Sequence, residues 1–501
     1  MQRILCRLKM PTRASTPPPV TRVGPLSAGS LDLPVHVSYA GTAVVTLDAA
    51  ALWTDGRYYL QATNQLEKSW ILQKTGEKTT PSQADWLVSV LPPSSQVAID
   101  PSLFTVQTIH MLRATLQKAG HSLATHPTNL VDEIWTNRPA APTSPIVVLD
   151  VKYAGKSFTE KLADLRAQLH AGKNWGVVIN SLDEICWLFN LRGSDVSFNP
   201  VFLAYAIVTS SEAYIYTDLK KVTQSVRDAT SGLVTFKEYG DIFNDLSVHG
   251  KSRMGQPETL YMDCNCNGAL YESFGKAPVF GGKPLIQQAK AIKNATELEG
   301  FRQCHKRDGL ALCRYFSWLE NELVAKANKT LTEAQVADKL EGYRKELDKF
   351  VGLSFDTISS TGANGAVIHY KPEHGSCAIV DVNQIYLCDS GAQFLDGTTD
   401  TTRTFHFGTP TAEEKDAYTR VLQGHIQIDM LVFPEGTTGY IIDAIARAPL
   451  WKAGLDYMHG TGHGVGSYLN VHEGPHGIGF RISQNDTGLQ AGMTVTDGTI
   501  T

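Results

Sequence analysis

Ile385-Tyr-Leu-Cys-Asp389-Ser-Gly-Ala-Gln-Phe-Leu-Asp396-Gly-Thr-Thr-Asp400-Thr-Thr-Arg-Thr-Phe-His-Phe407 reads as two strands joined by a turn. Ile385–Cys388 is an apolar run leading into Asp389, and Thr401–Phe407 alternates with the period of two of a pleated strand. A simple antiparallel register sets Asp389 opposite Asp400, with Cα atoms about 4.5–5.5 Å apart. A bulge near Gly397 is the device that would shift it. Two carboxylates held that closely repel unless a cation or a shared proton neutralises them. Asp396 competes less well for this role, because Asp396-Gly397 has turn chemistry.

Histidines concentrate around this hairpin. Eight of the fifteen lie between 369 and 476: His369, His374, His406, His425, His459, His463, His472 and His476. The densest stretch is His459-Gly-Thr-Gly-His463-Gly-Val-Gly466, whose small residues let backbone approach a ligand or a neighbouring strand. Val471-His472-Glu473-Gly-Pro475 adds another imidazole and a carboxylate. One imidazole with two carboxylates is a donor set for a borderline-to-hard divalent cation such as Mn, Co or Zn. Upstream, Ala366–Tyr370 reads as a strand that carries His369, a candidate for binding substrate or relaying protons. The chain has no nucleotide P-loop, no dinucleotide-binding glycine spacing, no His-Glu-x-x-His and no Gly-x-Ser-x-Gly elbow.

Around this centre the chain divides into blocks. Residues 1–38 carry Arg3, Arg7, Lys9, Arg13 and Arg22 before the first acid, Asp32, and contain Pro17-Pro18-Pro19. They read either as an organellar targeting segment or as a disordered start. Residues 39–145 and 146–290 each alternate strands and helices. The strands include Thr42–Leu47, Ala51–Thr54, Trp175–Ile179 and Ala213–Thr217, and the helices include 84–93, 109–119 and 157–170. Residues 291–501 open with two long helices, signalled by Asn294-x-x-Glu297 and Thr332-x-x-Gln335 capping boxes. The fold class is therefore α/β (α+β), in three domains.

Composition narrows the function. At 501 residues the chain is too long for a single small binding module. Hydrophobic residues at 42% and charged residues at 19% make it globular, and a net charge of -5 gives no general attraction to nucleic acid. No run of 18 or more apolar residues reads as a membrane span. The eight cysteines are too sparse for a disulfide framework and read as reduced thiols of an intracellular protein.

Several stretches together resemble the creatinase/prolidase/methionine aminopeptidase superfamily, with its pita-bread fold. Within it, the chain is similar to the three-domain, cytosolic-type Xaa-Pro aminopeptidase (aminopeptidase P) branch. The stretches are Ala51-Leu-Trp-Thr-Asp-Gly-Arg-Tyr58, Trp187-Leu-Phe-Asn-Leu-Arg-Gly-Ser-Asp195, Thr357-Ile-Ser-Ser-Thr-Gly362, Asn364–Tyr370, Asp389–Gln393, Asp396–Arg403, His459–Gly466 and Asn470-Val-His-Glu-Gly-Pro475. The resemblance implies two creatinase-like N-terminal α/β domains followed by a pita-bread metallopeptidase domain. It implies Asp389, Asp400 and His463 as metal ligands, with His369, His459 and His472 lining the substrate pocket. It further implies two divalent cations, usually manganese, that activate a hydroxide. The implied substrates are short peptides with proline in the second position, cleaved before that proline. A homodimer through the C-terminal domain, a cytoplasmic location, and no membrane or nucleic-acid partner complete the family picture.

The sequence departs from the family after Thr494-Val-Thr-Asp497. There the family continues with Glu-Pro-Gly and later an Ile-Arg-x-Glu segment, each supplying a glutamate ligand, whereas this sequence reads Gly498-Thr-Ile-Thr501. The catalytic domain is accordingly expected to be incomplete, poorly stable, to bind at most one cation, and to show little or no peptidase activity. None of Glu297, Glu299, Glu373, Glu435 or Glu473 stands where those ligands belong, Glu473 being the nearest to a substitute. The leading functional reading is a metal-dependent Xaa-Pro aminopeptidase. The alternatives are a catalytically inactive chain that binds peptide or dimerises, and another superfamily member such as a dipeptidase or amidinohydrolase.

Overall fold

The computed structural model describes residues 25–26, 41–126, 129, 132, 135, 137–230, 232–277, 279–482 and 486–498. The segment 1–38 discussed above thus lies, but for Pro25–Leu26, outside the described residues, as do residues 499–501.

The first unit is a four-stranded sheet, β1 (Pro25–Leu26), β2 (Gly41–Val45), β3 (Ala50–Asp55) and β4 (Trp70–Thr75), in sequential order. The short connection through Thr46 makes β2 and β3 a hairpin, and the parallel pairing of β4 with β3 follows a helical crossover. Helices α1 (Gln83–Val90) and α2 (Val106–Lys118) bury Trp86, Leu87, Ile109 and Leu112 against Val44, Ala51 and Trp53. Each helix starts on an extended Ser82 or Thr105 whose hydroxyl accepts a first-turn N–H.

The second unit is a six-stranded mixed sheet. Its strands are β7 (Asn174–Ile179), β8 (Tyr205–Thr209), β9 (Ala213–Tyr216), β10 (Thr235–Lys237), β11 (Thr259–Asp263) and β12 (Val279–Gly282). A separate parallel pair, β5 (Gln96–Ile99) and β6 (Ser122–Thr125), belongs to the first unit. The six strands lie in the order β10-β9-β8-β7-β11-β12. From β7 the chain builds outward through β8, β9 and β10, then returns to the other side of β7 as β11, parallel to it. Both faces are covered, which is why Trp175-Gly-Val-Val-Ile179 is apolar throughout. Val177 and Ile179 pack on Leu162, Leu165 and Leu169 of α3 (Phe158–Ala171), while Val178 meets Ile242 and Leu246 on the opposite face.

Two short helices, α4 (Leu182–Leu188) and α5 (Leu285–Ala291), lead towards the third unit, which opens with α6 (Ala295–Glu320) and α7 (Glu333–Lys345). Both expected capping boxes form, Asn294 with Glu297 and Thr332 with Gln335. Three small sheets follow: β13 (Phe350–Leu353) with β16 (Ala392–Phe394) and β17 (Gly397–Thr398); β14 (Ile358–Thr361) with β15 (Ile385–Ser390) and β18 (Thr401–His406); and β19 (Gly462–Gly464) with β20 (Glu473–Ile478). Helices α8 (Ala412–Asp429) and α9 (Gly439–Trp451) pack together between the last two sheets in sequence.

Two expectations need correction. The β15–β18 hairpin forms, but Asp389 faces Thr402 and Ser390 faces Thr401, two residues out of the simple register. The cause is that residues 391–399 do not form a plain turn. They fold into the separate β16–β17 hairpin, which pairs with β13. The second correction concerns His369. Ala366–Tyr370 is no strand: Gly362–Ala366 is a 3-10 turn and His369 sits in the turn after it. The buried Glu333 carboxylate holds this loop compact by accepting from Thr361 N, Asn364 Nδ2, Tyr370 Oη and Ala378 N.

Exposed apolar side chains crowd one part of the third unit. Met430 is 74% exposed, Val432 95% and Ile441 61%, on and just after α8 and on α9. Among the described residues, no helix is long and apolar enough to cross a membrane.

Candidate functional site

Each site residue reaches the centre for a local reason. Asp389 sits near the end of β15, where the pleat sends its side chain to the face that Thr402 shares. Asp400 stands two residues earlier, at the mouth of β18, on that same side. His463 is the middle residue of the three-residue strand β19, whose neighbours Gly462 and Gly464 lie against the Thr496 and Glu473 carbonyls. A Cβ at either glycine would stand 1.9 or 2.2 Å from those oxygens, so only glycine lets His463 lie this deep.

Three of these side chains converge. One donor atom each from Asp400, His463 and His472 lie within 4.8 Å of one another. His463 Nε2 is 3.1 Å from Asp400 Oδ2. Its Nδ1 is 2.8 Å from the Gly464 carbonyl, so Nδ1 carries the proton and Nε2 points its lone pair at the cluster. The His463 and His472 rings meet edge to face at 4.1 Å. Desolvation, and then the neighbouring His463, hold His472 below the usual imidazole range although the residue is exposed to solvent.

Asp389 completes the setting without joining the trio. Its carboxyl is pushed up to about 7, first by burial and then by the charge of Asp400, and its Oδ1 is shut off from solvent with no hydrogen-bond partner. A desolvated, unpartnered carboxylate oxygen beside a second carboxylate is what a cation would neutralise. The residues present therefore fit one divalent ion, held by Asp400, His463 and His472 with Asp389 alongside.

They do not fit two. The family chemistry needs two further carboxylates, and among the described residues no glutamate joins the cluster. Glu473 is committed elsewhere: its buried carboxylate pairs with Lys290 at 2.5 Å and with Lys293. Asp396 is likewise taken, by Lys349 at 2.9 Å and by Arg307. This overturns the leading functional reading. Release of an N-terminal residue by hydroxide generated between two metal ions has no complete ligand set here, and the alternative of a catalytically incomplete chain stands better.

The remaining histidines lie outside the trio, although the charge of His369 is felt at His472 and that of His459 at His369. His369 lies across the cleft, its ring 5.2 Å from that of Tyr58, and is lowered to about 4 by burial and then by the charge of Arg57. His459 bonds the Gly460 carbonyl through Nδ1 and packs on Tyr457 at 4.6 Å. His476 bonds the Thr494 carbonyl and lies against Gly464, His374 pairs with Asp338, His406 faces Glu414 and His425 pairs with Asp497, none of them a member of the trio.

One contributor has no role in the sequence reading. The turn after β3 in the first unit brings Arg57 and Tyr58 to His369. Arg57 is held by two bonds to Asp55, at 2.9 and 2.8 Å, and Asp55 also faces Arg481 of the third unit at 3.7 Å. The available signal was the run Asp55-Gly-Arg57-Tyr58 itself, whose paired charges are unusual for a plain turn.

Comparison with known proteins agrees with this architecture. Residues 36–134 and 137–297 match two creatinase/prolidase N-terminal domain families, and residues 299–498 match metallopeptidase family M24. The chain is 49% identical over 468 residues to a probable Xaa-Pro aminopeptidase P of Paracoccidioides brasiliensis, covering 91% of this chain and 76% of that protein. It is 52% identical over 463 residues to the corresponding protein of Penicillium rubens, covering 91% and 75%. Among solved structures, the X-prolyl aminopeptidase of Caenorhabditis elegans, described as a cytosolic enzyme with a di-nuclear active site, superposes with a TM-score of 0.88 at 40% identity, over 91% of this chain and 75% of that one. The chain belongs to the creatinase/prolidase and M24 metallopeptidase family, in its aminopeptidase P branch.

Proposed function

We propose that these 501 residues form a peptide-binding, catalytically incomplete member of the aminopeptidase P branch that takes up a single divalent cation. The single observation that carries this is the three-donor cluster of Asp400, His463 and His472, to which no glutamate contributes among the described residues. In this reading Asp400 and His463 are ligands, as expected from the sequence. His472 moves from substrate pocket to ligand, and Asp389 neutralises the ion from beside it. Manganese is the ion the family resemblance favours. His369 and His459 line the cleft, with Arg57 and Tyr58 opposite, and the occupants are short peptides with proline in the second position. A homodimer and a cytoplasmic location follow the same resemblance.

The test is elemental analysis of the purified chain after manganese loading, beside Asp400→Ala and alongside an assay with a fluorogenic Xaa-Pro peptide. One ion per chain or fewer, lost in the variant, with no hydrolysis, is the expected result. Two ions per chain with turnover of the peptide would overturn the proposal.

A further inference from the structure

Arg192 stands in the Trp187–Asp195 stretch of the second unit, on the two-residue strand Leu191–Arg192, and it is buried. Its four bonds all go to backbone carbonyls and none to a carboxylate. Nη1 donates to the Cys186 carbonyl, in the last turn of α4, and to that of Leu191, both at 2.9 Å. Nε donates to the Tyr468 carbonyl at 2.7 Å and Nη2 to that of Ser467 at 3.2 Å, both across the boundary in the third unit. A guanidinium keeps its charge however deep it lies, so these charge-assisted bonds carry much of the offset for its lost hydration.

Ser467 and Tyr468 belong to the loop that closes the β19–β20 hairpin, and that loop is what separates His463 from His472. Whether the two imidazoles meet depends on its path. Tyr468 is left-handed at φ 50°, a conformation that a side chain other than glycine keeps only where its surroundings enforce it. Arg192 grips the carbonyls on either side of that residue's own φ and ψ, and its guanidinium lies 5.5 Å from the centre of the Tyr468 ring. The next peptide is held from the other side. Gln393 Nε2 donates to the Leu469 carbonyl at 2.8 Å, and Thr398, two residues before Asp400, donates its hydroxyl to Gln393 Oε1 at 2.8 Å. The loop between the imidazoles is thus clamped between the second unit and the hairpin that leads to Asp400.

We infer that Arg192 is a positioning residue for the cation site: from the second unit it fixes the loop that brings His463 and His472 together. The inference rests on the single-cation reading of the trio. The experiment is a manganese titration of the full chain, with the free ion counted by its electron paramagnetic resonance signal, beside Arg192→Met, Arg192→Lys and Lys161→Met. Lys161 is the control: its buried ammonium also grips the end of α4, at the Trp187 carbonyl and Asn190 Oδ1, but none of its bonds reaches the loop. Arg192→Met is expected to bind manganese at least about tenfold more weakly, as when an outer support of a ligand is lost. Arg192→Lys keeps the charge without the fork and should also lose about tenfold, so it decides the matter if Arg192→Met does not fold. Lys161→Met should stay within about twofold of the unmodified chain, whatever it costs in stability. Without metal, amide exchange at Gly466 and Leu469 should quicken in Arg192→Lys and not in Lys161→Met. Unchanged affinity in a folded Arg192 variant, or an equal loss in Lys161→Met, would overturn this inference alone. Failure of the unmodified chain to bind manganese would overturn the cation reading and this inference with it.

Discussion

Two carboxylates on strands of the same domain, Glu473 buried and Asp389 half-buried, meet opposite fates. Glu473, at the start of β20, is enclosed by Lys290 and Lys293, and Lys290 reaches on to Asp183 at 2.8 Å. Asp389, near the end of β15, has a second carboxylate for a neighbour and an oxygen with no partner. The first is a structural joint: its lysines come from α5 and the residues after it, so the pairing pins the second unit to the third. The second is a binding site. A buried charge matched by protein cations holds a fold together, whereas a buried charge the protein leaves unmatched marks where something else must come.

The sharpest way to break this comparison is Glu473→Ala. It would strand the buried Lys293 ammonium and leave Lys290 with Asp183 alone, and is expected to cost about 3–5 kcal/mol, read as a lower midpoint in denaturant. A loss under 1 kcal/mol would show that the joint is not structural.

Glu184 tests the same neighbourhood through pH. Its carboxyl is pushed up to about 8, first by burial and then by Asp183. The folded state therefore holds a proton that the unfolded chain releases from about pH 4.5 upward, and stability falls as pH rises between these values. Glu184→Gln is expected to flatten that slope and to add roughly 2–3 kcal/mol at pH 8. A parallel slope in the variant would sink the assignment.

Asp389→Asn probes the other carboxylate. Without divalent ions it should stabilise the chain at pH 8 by roughly 1–2 kcal/mol, because it removes a repulsion. Manganese should then raise the melting temperature less than it does in the unmodified chain. Greater stabilisation by manganese in the variant would contradict the site. At the small end, Arg302 and Glu299 pair in solvent at 3.3 Å. Arg302→Ala should leave the denaturant midpoint where it is, the baseline for a solvent-exposed pair.

Local signals were the legible part of the fold. The Asn294 and Thr332 capping boxes, the apolar run at Trp175–Ile179 and the strands around Asp389 all rest on neighbours within a few residues. Glycine spacing around His463 also marked a place where backbones touch. The hairpin register was not legible, because residues 391–399 find their partner in β13, nearly forty residues upstream of β16. The His369 loop escaped for the same reason, since Glu333, which gathers its donors, belongs to a helix.

What the sequence by itself determined is the family, the order of its domains and the donor residues available, because these are matters of residue type and spacing. Only the tertiary structure decided which donors meet. It brought His472 rather than Asp389 into the trio, committed Glu473 to two lysines, and carried Arg57 from the first unit to the cleft. Charge pairing across hundreds of residues depends on which surfaces pack, and packing is fixed by the whole core rather than by any stretch of it.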